Sequence, residues 1–166
     1  MTPGSTSPAW ADLPAYRAGH LARNPIPDAD SVIRDLAGRQ QWLLWRYEPG
    51  ETPEKKPRKM PYYASGRRRV GDQGSEADRG ALVTYALAAA AASKGNYDGV
   101  GFAFLPDDGL IGIDLDGMID PATGEISKRC EEIIAACASY TEWSPSGQGV
   151  HIICAGTTET FKSNKV

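Results

Sequence analysis

The sequence predicts an α+β domain in which short strands, turns and a few helices alternate along the chain. With 166 residues, 41% hydrophobic and 23% charged, the chain has the size and balance of one globular domain with a hydrophobic core. Twelve prolines and eighteen glycines indicate many turns, and therefore short strands rather than a helical bundle. Residues 1–27 are predicted to be a loosely ordered segment that precedes a domain over residues 28–166.

Hydrophobic periodicity and turn residues predict the individual elements. In chain order they are a short helix over 28–37, a strand over 42–47, a long loop or hairpin over 55–69, a helix over 81–94, strands over 100–104 and 111–116, a helix after 124, and strands over 140–143 and 150–154. Because Asp107-Asp-Gly109 supplies turn residues, the strands over 100–104 and 111–116 are expected to pair as a hairpin.

Two aspartates share one face of the predicted strand Ile111-Gly-Ile-Asp-Leu-Asp116. Side chains alternate along a strand, so Asp114 and Asp116 project together, with their Cα atoms roughly 6.5–7 Å apart. Carboxylates this close repel each other, and a divalent cation such as Mg²⁺ or Mn²⁺ would neutralise both. The pair therefore predicts a metal site, and an ordinary solvent-facing strand end is the alternative.

A turn of small residues, Ser144-Pro-Ser-Gly-Gln-Gly149, leads into the predicted strand that carries His151. The small residues Ser146, Gly147 and Gly149 let the backbone approach a ligand, and turned N–H groups can bind phosphate oxygens. His151 is expected to share its face with Gly149, from where the imidazole can donate to a phosphate. A histidine with a purely structural role is the alternative.

One basic segment stands out in an otherwise acidic protein. The net charge of −3 and the pI near 5.4 argue against DNA binding through overall charge. Seven of the eighteen basic residues nevertheless lie within 55–69, with no acidic residue among them. The segment is either a solvated loop or a surface for DNA. Its basic residues are Lys55, Lys56, Arg58, Lys59, Arg67, Arg68 and Arg69.

The remaining composition predicts a cytoplasmic protein without a membrane partner. The N-terminus lacks the basic start and apolar run of a signal peptide, and the longest apolar block, 86–92, is too short to span a bilayer. The three cysteines include no C-x-x-C pair, so buried free thiols are expected rather than a structural zinc site.

The order of these motifs resembles the archaeo-eukaryotic primase superfamily, in particular the primase-polymerase domains at the N-termini of phage and plasmid replication proteins. The similarity covers about residues 40–155 and implies an RRM-like catalytic core with an N-terminal α/β extension. Its motifs are the tryptophan-rich strand with Arg46, Lys56-Pro-Arg-Lys-Met-Pro-Tyr62, Tyr97-Asp-Gly-Val-Gly-Phe-Ala-Phe104, Gly112-Ile-Asp-Leu-Asp116 and Ser144-Pro-Ser-Gly-Gln-Gly-Val-His151.

This resemblance implies a nucleotidyltransferase that uses Mg²⁺ or Mn²⁺ and joins nucleoside triphosphates to a primer on a DNA template. Asp114 and Asp116 would bind the metals, and Gly149 with His151 would contact the phosphates of the incoming nucleotide. Further contacts to phosphate or template are implied for Arg46, Lys56 and Lys59. The local positive charge then predicts that the other cations of the basic segment bind DNA: Lys55, Arg58, Arg67, Arg68 and Arg69.

The family also has a third acidic residue on a strand that follows the histidine strand. Lys162-Ser-Asn-Lys-Val166 ends where that strand would begin. We therefore expect a catalytic domain that is incomplete at its C-terminus, with weak catalysis or none. A helicase domain or subunit is an additional expected partner, because one often follows in related replication proteins.

Two other functions are alternatives. Asp114-Leu-Asp-Gly117 is similar to the D-x-D-G motif of haloacid-dehalogenase-type phosphatases, although no Asp-Asp pair follows it. The other alternative is an inactive fragment that binds nucleotide or single-stranded DNA without turnover.

Overall fold

The chain has a mixed α+β fold, as predicted. The computed structural model describes residues 34–157; the predicted N-terminal segment, the start of the predicted helix over 28–37 and the C-terminal residues 158–166 lie outside them. In chain order the elements are α1 (Arg34–Ala37), β1 (Trp42–Glu48), β2 (Arg58–Tyr62), α2 (Glu76–Ala81), α3 (Tyr85–Lys94), β3 (Gly99–Phe102), β4 (Leu110–Leu115), α4 (Lys128–Cys137), β5 (Tyr140–Trp143) and β6 (Val150–Ala155).

The elements divide between two compact units, one that ends at Ala103 and one that begins at Phe104. The first unit contains a three-stranded sheet in the order β2-β1-β3, and the second a three-stranded sheet in the order β4-β6-β5. All neighbouring strands are antiparallel. The single RRM-like sheet implied by the resemblance stays a prediction.

The predicted hairpin between the strands over 100–104 and 111–116 is wrong, because β3 pairs with β1 and β4 pairs with β6. The Asp108 carboxylate accepts from the N–H groups of Leu105 at 2.8 Å and Leu110 at 2.9 Å. The predicted turn therefore exists, but it is closed by the side chain of Asp108 and does not join two paired strands. A local turn does not dictate which strands pair, and each strand here finds its ladder within its own unit.

Helix α3 begins four residues later than predicted, and a separate short helix precedes it. Val83 and Trp42 exchange backbone hydrogen bonds of 2.9 and 3.1 Å, which draws the chain into an extended bridge between α2 and α3. Helix α2 was not predicted, although Ser75 caps it by accepting from the N–H of Asp78 at 3.3 Å. The S-x-x-D spacing that produces this cap is visible in the sequence.

The core of the first unit lies where α3 packs against β1. Leu44 on β1 and Ala88 on α3 are fully buried. The rings of Trp42 and Tyr85 meet edge to face with centroids 4.9 Å apart, a favourable geometry for aromatic pairs. Helices α3 and α4 have ten residues each, and among the described residues no helix is long and apolar enough to cross a membrane.

The basic segment forms a hairpin with β1, one of the two structures predicted for it. Strand β2 pairs with β1 from Arg58 opposite Glu48 to Tyr62 opposite Leu44. Pro61 lies within β2, which an edge strand tolerates because its outer side needs no ladder hydrogen bond.

In the second unit, α4 covers one face of the sheet. Val150 and Ile152 from β6 are buried together with Cys130 from α4. The apolar face predicted for this helix is confirmed. Partly buried residues complete the cluster: Ile113, Leu115, Met118, Ile126, Ile133, Ile134, Cys137 and Cys154. The three thiols are free, and burial raises the pKa of the Cys130 thiol, which favours an unreactive core residue.

A buried ion pair joins the end of the basic segment to α2. The guanidinium of Arg69 binds the carboxylate of Asp78 through two hydrogen bonds of 2.7 and 2.6 Å, with the residues only 8% and 4% exposed. Tyr63 and the Gly74 N–H donate to the same carboxylate, each at 2.7 Å. Arg69 was predicted to contact DNA. Because its charge is buried and neutralised inside the first unit, we assign it to the fold instead.

We expect Asp78→Ala to lower the free energy of unfolding by about 3–5 kcal/mol, because it leaves the Arg69 guanidinium buried without its partner. Urea denaturation at pH 7 measures the loss. The matched control is Glu51→Ala, which breaks an exposed pair with Lys55 and should cost under about 1 kcal/mol. Equal losses in the two variants would contradict the structural role of the buried pair.

The Arg69–Asp78 pair makes the stability of the protein depend on pH. Hydrogen bonds from Arg69 hold the pKa of Asp78 well below its usual range. Because the pKa of Asp78 is lower in the folded state than the unfolded value of about 3.9, the pair stabilises the protein at pH values above about 3.9. This contribution is lost as the pH falls below that value. Below about pH 4 the difference between parent and Asp78→Ala should therefore shrink.

Candidate active site

The face of the second sheet that points away from α4 carries a row of titratable side chains. Strand β6 is central, and its register places His151 opposite Asp114 on β4 and opposite Glu142 on β5. Cross-strand neighbours project to the same face. The three residues therefore form one line across the sheet, which we call the acid–histidine row.

The imidazole lies between two carboxylates in this row. His151 Nδ1 is 3.2 Å from Glu142 Oε1, and His151 Nε2 is 3.6 Å from Asp114 Oδ1. Because an ionised carboxylate only accepts, Nδ1 is the donor toward Glu142. Tyr140 donates its hydroxyl to the other oxygen of Glu142 at 2.9 Å. One oxygen of Glu142 is thus bound by Tyr140, and the other oxygen binds the imidazole ring of His151.

The two predicted metal ligands lie at the end of β4. Asp114 has a side chain 63% exposed and can reach a ligand above the sheet. Asp116 is also exposed and follows the last residue of β4, one residue beyond the observed strand, where Gly117 turns the chain at φ 67°.

These carboxylates suit the predicted cation in chemical type. Within residues 34–157 no group of three or more His, Cys, Asp or Glu side chains is arranged to hold a metal. Mg²⁺ is ordinarily held by one or two carboxylates together with water and substrate phosphates, so Asp114 and Asp116 fit that donor set.

Gly149 lies against the end of β4. A Cβ atom built on Gly149 would lie 2.3 Å from the carbonyl oxygen of Leu115 and 3.2 Å from the Cα of Asp116. No side chain fits into this space, so the backbone of the histidine strand can pass this close only at a glycine. The small residue two positions before His151 therefore positions the chain that carries Asp116.

The turn before Gly149 is closed by its own hydrogen bonds. The N–H of Ser144 donates to the Gly149 carbonyl and the N–H of Gly147 to the Ser144 carbonyl, both at 2.8 Å. Ser146 accepts from the Gln148 N–H at 3.3 Å and shares a hydrogen bond with the Ser144 hydroxyl. Three N–H groups of the predicted phosphate cradle are therefore already used within the turn.

Arg46 is held within the first unit by a polar cluster. It donates to the Tyr62 hydroxyl at 2.8 Å and lies 3.4 Å from Glu48 Oε1. Arg68 reaches the other oxygen of Glu48 at 3.8 Å. Tyr62 donates to Glu48, and this hydrogen bond is the main reason that the pKa of Glu48 is lowered. Two arginines on adjoining segments thus converge on one carboxylate.

The other basic residues lie along the hairpin surface. Lys55 and Arg58 both approach the carboxylate of Glu51, at 2.7 and 3.6 Å. Lys59 lies over the ring of Trp45 with its Nζ 5.8 Å from the ring centroid. Arg67 lies similarly over Tyr63 at 4.9 Å, and Lys56 is exposed. An acidic residue just outside the segment, Glu51, thus offsets part of its positive charge. The count of charged residues within 55–69 does not include this acid.

The structure brings Asp114 and His151 together in the second unit, and Arg46 with Arg68 in the first. Glu142 is the site residue that was not predicted. Its signal was available, because counting outward from the turn over 144–149 pairs Trp143 with Val150 and then Glu142 with His151.

The chain is similar to a phage DNA primase-polymerase. It is 27% identical over 134 residues to the DNA primase-polymerase of Nitratiruptor phage NrS-1, and the matched region covers 81% of this chain and 17% of that protein. The chain thus spans about a sixth of the length of its relative. No protein-family model matches the sequence.

This similarity supports a relationship to primase-polymerases. Placement in the archaeo-eukaryotic primase superfamily stays a prediction.

We expect Gly149→Ala to lower the free energy of unfolding by about 1–3 kcal/mol, because its methyl group would overlap the Leu115 carbonyl. Gly80→Ala is the control, since a Cβ there meets nothing within 4 Å and alanine favours a helix. Thermal or urea unfolding measures both variants. An unchanged Gly149→Ala protein would show that the two strands do not approach as closely as described.

Proposed function

We propose that this chain carries the polymerase centre of a DNA primase-polymerase, which joins nucleotides from nucleoside triphosphates to a primer on a DNA template. The observation that supports it best is the acid–histidine row, in which an exposed Asp114 lies beside His151 on an open sheet face. The similarity to a phage DNA primase-polymerase points to the same chemistry. We therefore assign the residues of the row roles in nucleotidyl transfer.

In the proposed reaction, the primer 3′-hydroxyl loses its proton to solvent and its oxygen bonds to the α-phosphorus of the triphosphate. The bond from the α-phosphorus to the bridging oxygen breaks, and pyrophosphate leaves. Asp114 and Asp116 would hold Mg²⁺ or Mn²⁺, which when bound supplies charge neutralisation for the triphosphate. His151 presents its Nε2 on the Asp114 side, and in the imidazolium form Nδ1 donates to Glu142 while the Nε2–H could donate to a phosphate oxygen. The protein contributes mainly position and charge, as is usual for phosphoryl transfer.

Glu142 acts as a positioning residue in this proposal. By accepting a hydrogen bond from Nδ1, Glu142 fixes the orientation of the imidazole ring. Nδ1 then faces Glu142, and Nε2 faces Asp114. The hydrogen bond from Tyr140 restrains Glu142 in turn. An imidazole oriented in this way loses little freedom when a phosphate arrives.

The basic hairpin of the first unit is the proposed surface for DNA. Its exposed cations Lys55, Lys56, Arg58, Lys59 and Arg67 can bind the phosphates of template or primer, so binding should weaken with salt. Arg46 and Arg68 are restrained by Glu48 and present ordered guanidinium groups. A helicase domain or subunit remains a proposed partner.

Primer extension tests the proposal directly. With labelled nucleotides and Mg²⁺ or Mn²⁺, any extension of a primer by the parent protein, weak as it is expected to be, should depend on both aspartates. Asp114→Asn and Asp116→Asn should each reduce the rate at least about 100-fold, because charge opposite the triphosphate is lost. Asp107→Asn is the matched control, an exposed acid of the same unit at φ 64°, a conformation that asparagine tolerates.

Equal extension by the parent and by both aspartate variants would refute this site. Nucleotide binding without any extension would instead support the alternative of a non-catalytic binding protein.

Replacement of Glu142 tests the positioning role. Glu142→Ala should lower kcat by about 10- to 100-fold with a smaller change in KM, the scale seen when the partner of a functional imidazole is removed. Glu142→Gln retains an acceptor and should restore most of the rate. The chain has two histidines, so imidazole nitrogen NMR can follow His151 directly.

The hydrogen-bonded Nδ1–H should persist in Glu142→Gln and be lost in Glu142→Ala. If both variants keep the parent spectrum and rate, Glu142 does not position His151.

A further inference from the structure

We infer that Phe104 forms a nucleoside subsite beside the acid–histidine row, where its ring stacks on the base of a nucleoside triphosphate. The inference rests on the proposed function, because it takes the row as the place where the phosphates bind. It adds the part of the site that would hold the rest of the nucleotide.

The ring of Phe104 lies directly on the backbone of β4. A Cβ atom built on Gly112 would be 2.6 Å from Cζ and 2.7 Å from Cε2 of this ring. A larger residue at this position would push the ring away from the backbone of β4. Phe104 was predicted to continue the strand over 100–104, but β3 ends at Phe102, and Phe104 belongs to the second unit instead.

This ring shares a face with the row. Gly112 and Asp114 are two residues apart on β4 and therefore point the same way. The register sets Gly112 opposite Ile153 and Asp114 opposite His151. The face thus has an apolar half, built from the ring and Ile153, next to a charged half. A ligand that matches both halves has a flat apolar part joined to an anionic part.

The ring is exposed where a phenylalanine would ordinarily be buried. Phe104 keeps 44% of its surface accessible to solvent, although large aromatic side chains usually bury most of theirs. The contact of this ring with β4 also takes a glycine inside the strand, which weakens the strand. A ligand-binding role gives a reason for both features.

A nucleobase matches these requirements better than other flat groups. Every base has a π-face, so stacking on an aromatic ring accepts all four bases without reading their edges. Such tolerance is what a template-directed polymerase needs from the protein, since base pairing selects the nucleotide. The triphosphate extends from the nucleoside and would reach the neighbouring Asp114 and His151.

The test compares two ligands that differ in the nucleoside. Calorimetry measures binding of ATP and of inorganic tripolyphosphate, each with Mg²⁺, to the intact chain. Phe104→Ala should weaken ATP binding about 5- to 100-fold, the range for loss of one base–aromatic stack. Tripolyphosphate binding should be unchanged, and Phe104→Trp should bind ATP at least as well as the parent.

Two further variants control for packing. Phe104→Leu keeps an apolar side chain over Gly112 but cannot stack, so it should weaken ATP binding as Phe104→Ala does and remains informative if the alanine variant fails to fold. Trp143→Ala removes another aromatic ring of the same unit, which is 49% exposed. Trp143 follows Glu142 on β5 and therefore points to the opposite face of the sheet. This variant should leave ATP binding unchanged.

The outcomes separate this inference from the proposed function. Unchanged ATP binding in Phe104→Ala and Phe104→Leu, or equal weakening of ATP and tripolyphosphate, overturns the nucleoside subsite even if the parent extends primers. ATP binding that depends on the Phe104 ring supports the subsite even if no primer is extended, and in that case only the polymerase proposal fails.

Discussion

The central position of β6 in the second sheet is the constraint on which the site depends. Its ladders with β4 and β5 set Asp114, His151 and Glu142 in one line and turn Val150 toward α4. Since side chains alternate, a slip of one residue on β6 would bury the imidazole and expose the core. The apolar cluster under α4 therefore holds the register that the charged face requires.

Two glycines allow close contacts in this sheet in different ways. Gly149 lets β6 enter the sheet against the Leu115 carbonyl, and Gly112 gives the Phe104 ring a seat on β4. Glycine has low strand propensity and loses more backbone entropy on folding than other residues. Both positions thus accept a local cost in stability, and in both the close approach lies beside the acid–histidine row.

In the first unit, paired acids decide what the basic residues can do. Asp78 buries the charge of Arg69 inside the fold, whereas Glu48 gathers Arg46 and Arg68 near the surface. The difference is one of burial, since the side chains of Arg69 and Asp78 are 7% and 3% exposed, whereas those of Arg46 and Arg68 are 35% and 41% exposed. Residues adjacent in sequence, such as Arg68 and Arg69, therefore have different roles.

Much of the site could be predicted from local pattern alone. Period-two alternation placed Asp114 and His151 opposite the apolar residues of their strands, and helical spacing predicted the buried face of α4. Local pattern failed where a partner far along the chain intervened. The bridge from Val83 to Trp42 delays the start of α3, and β3 pairs with β1 rather than with β4.

Residues a few positions apart were enough to predict the α+β class, the acidic strand, the histidine strand and a basic segment that is either a loop or a hairpin, because each of these is a local pattern. It took the folded chain to show which strands pair, that His151 bonds to Glu142, that Arg69 is buried and that Phe104 lies on Gly112. These features arise from contacts between distant segments, and neither periodicity nor turn chemistry carries information about which distant segments meet.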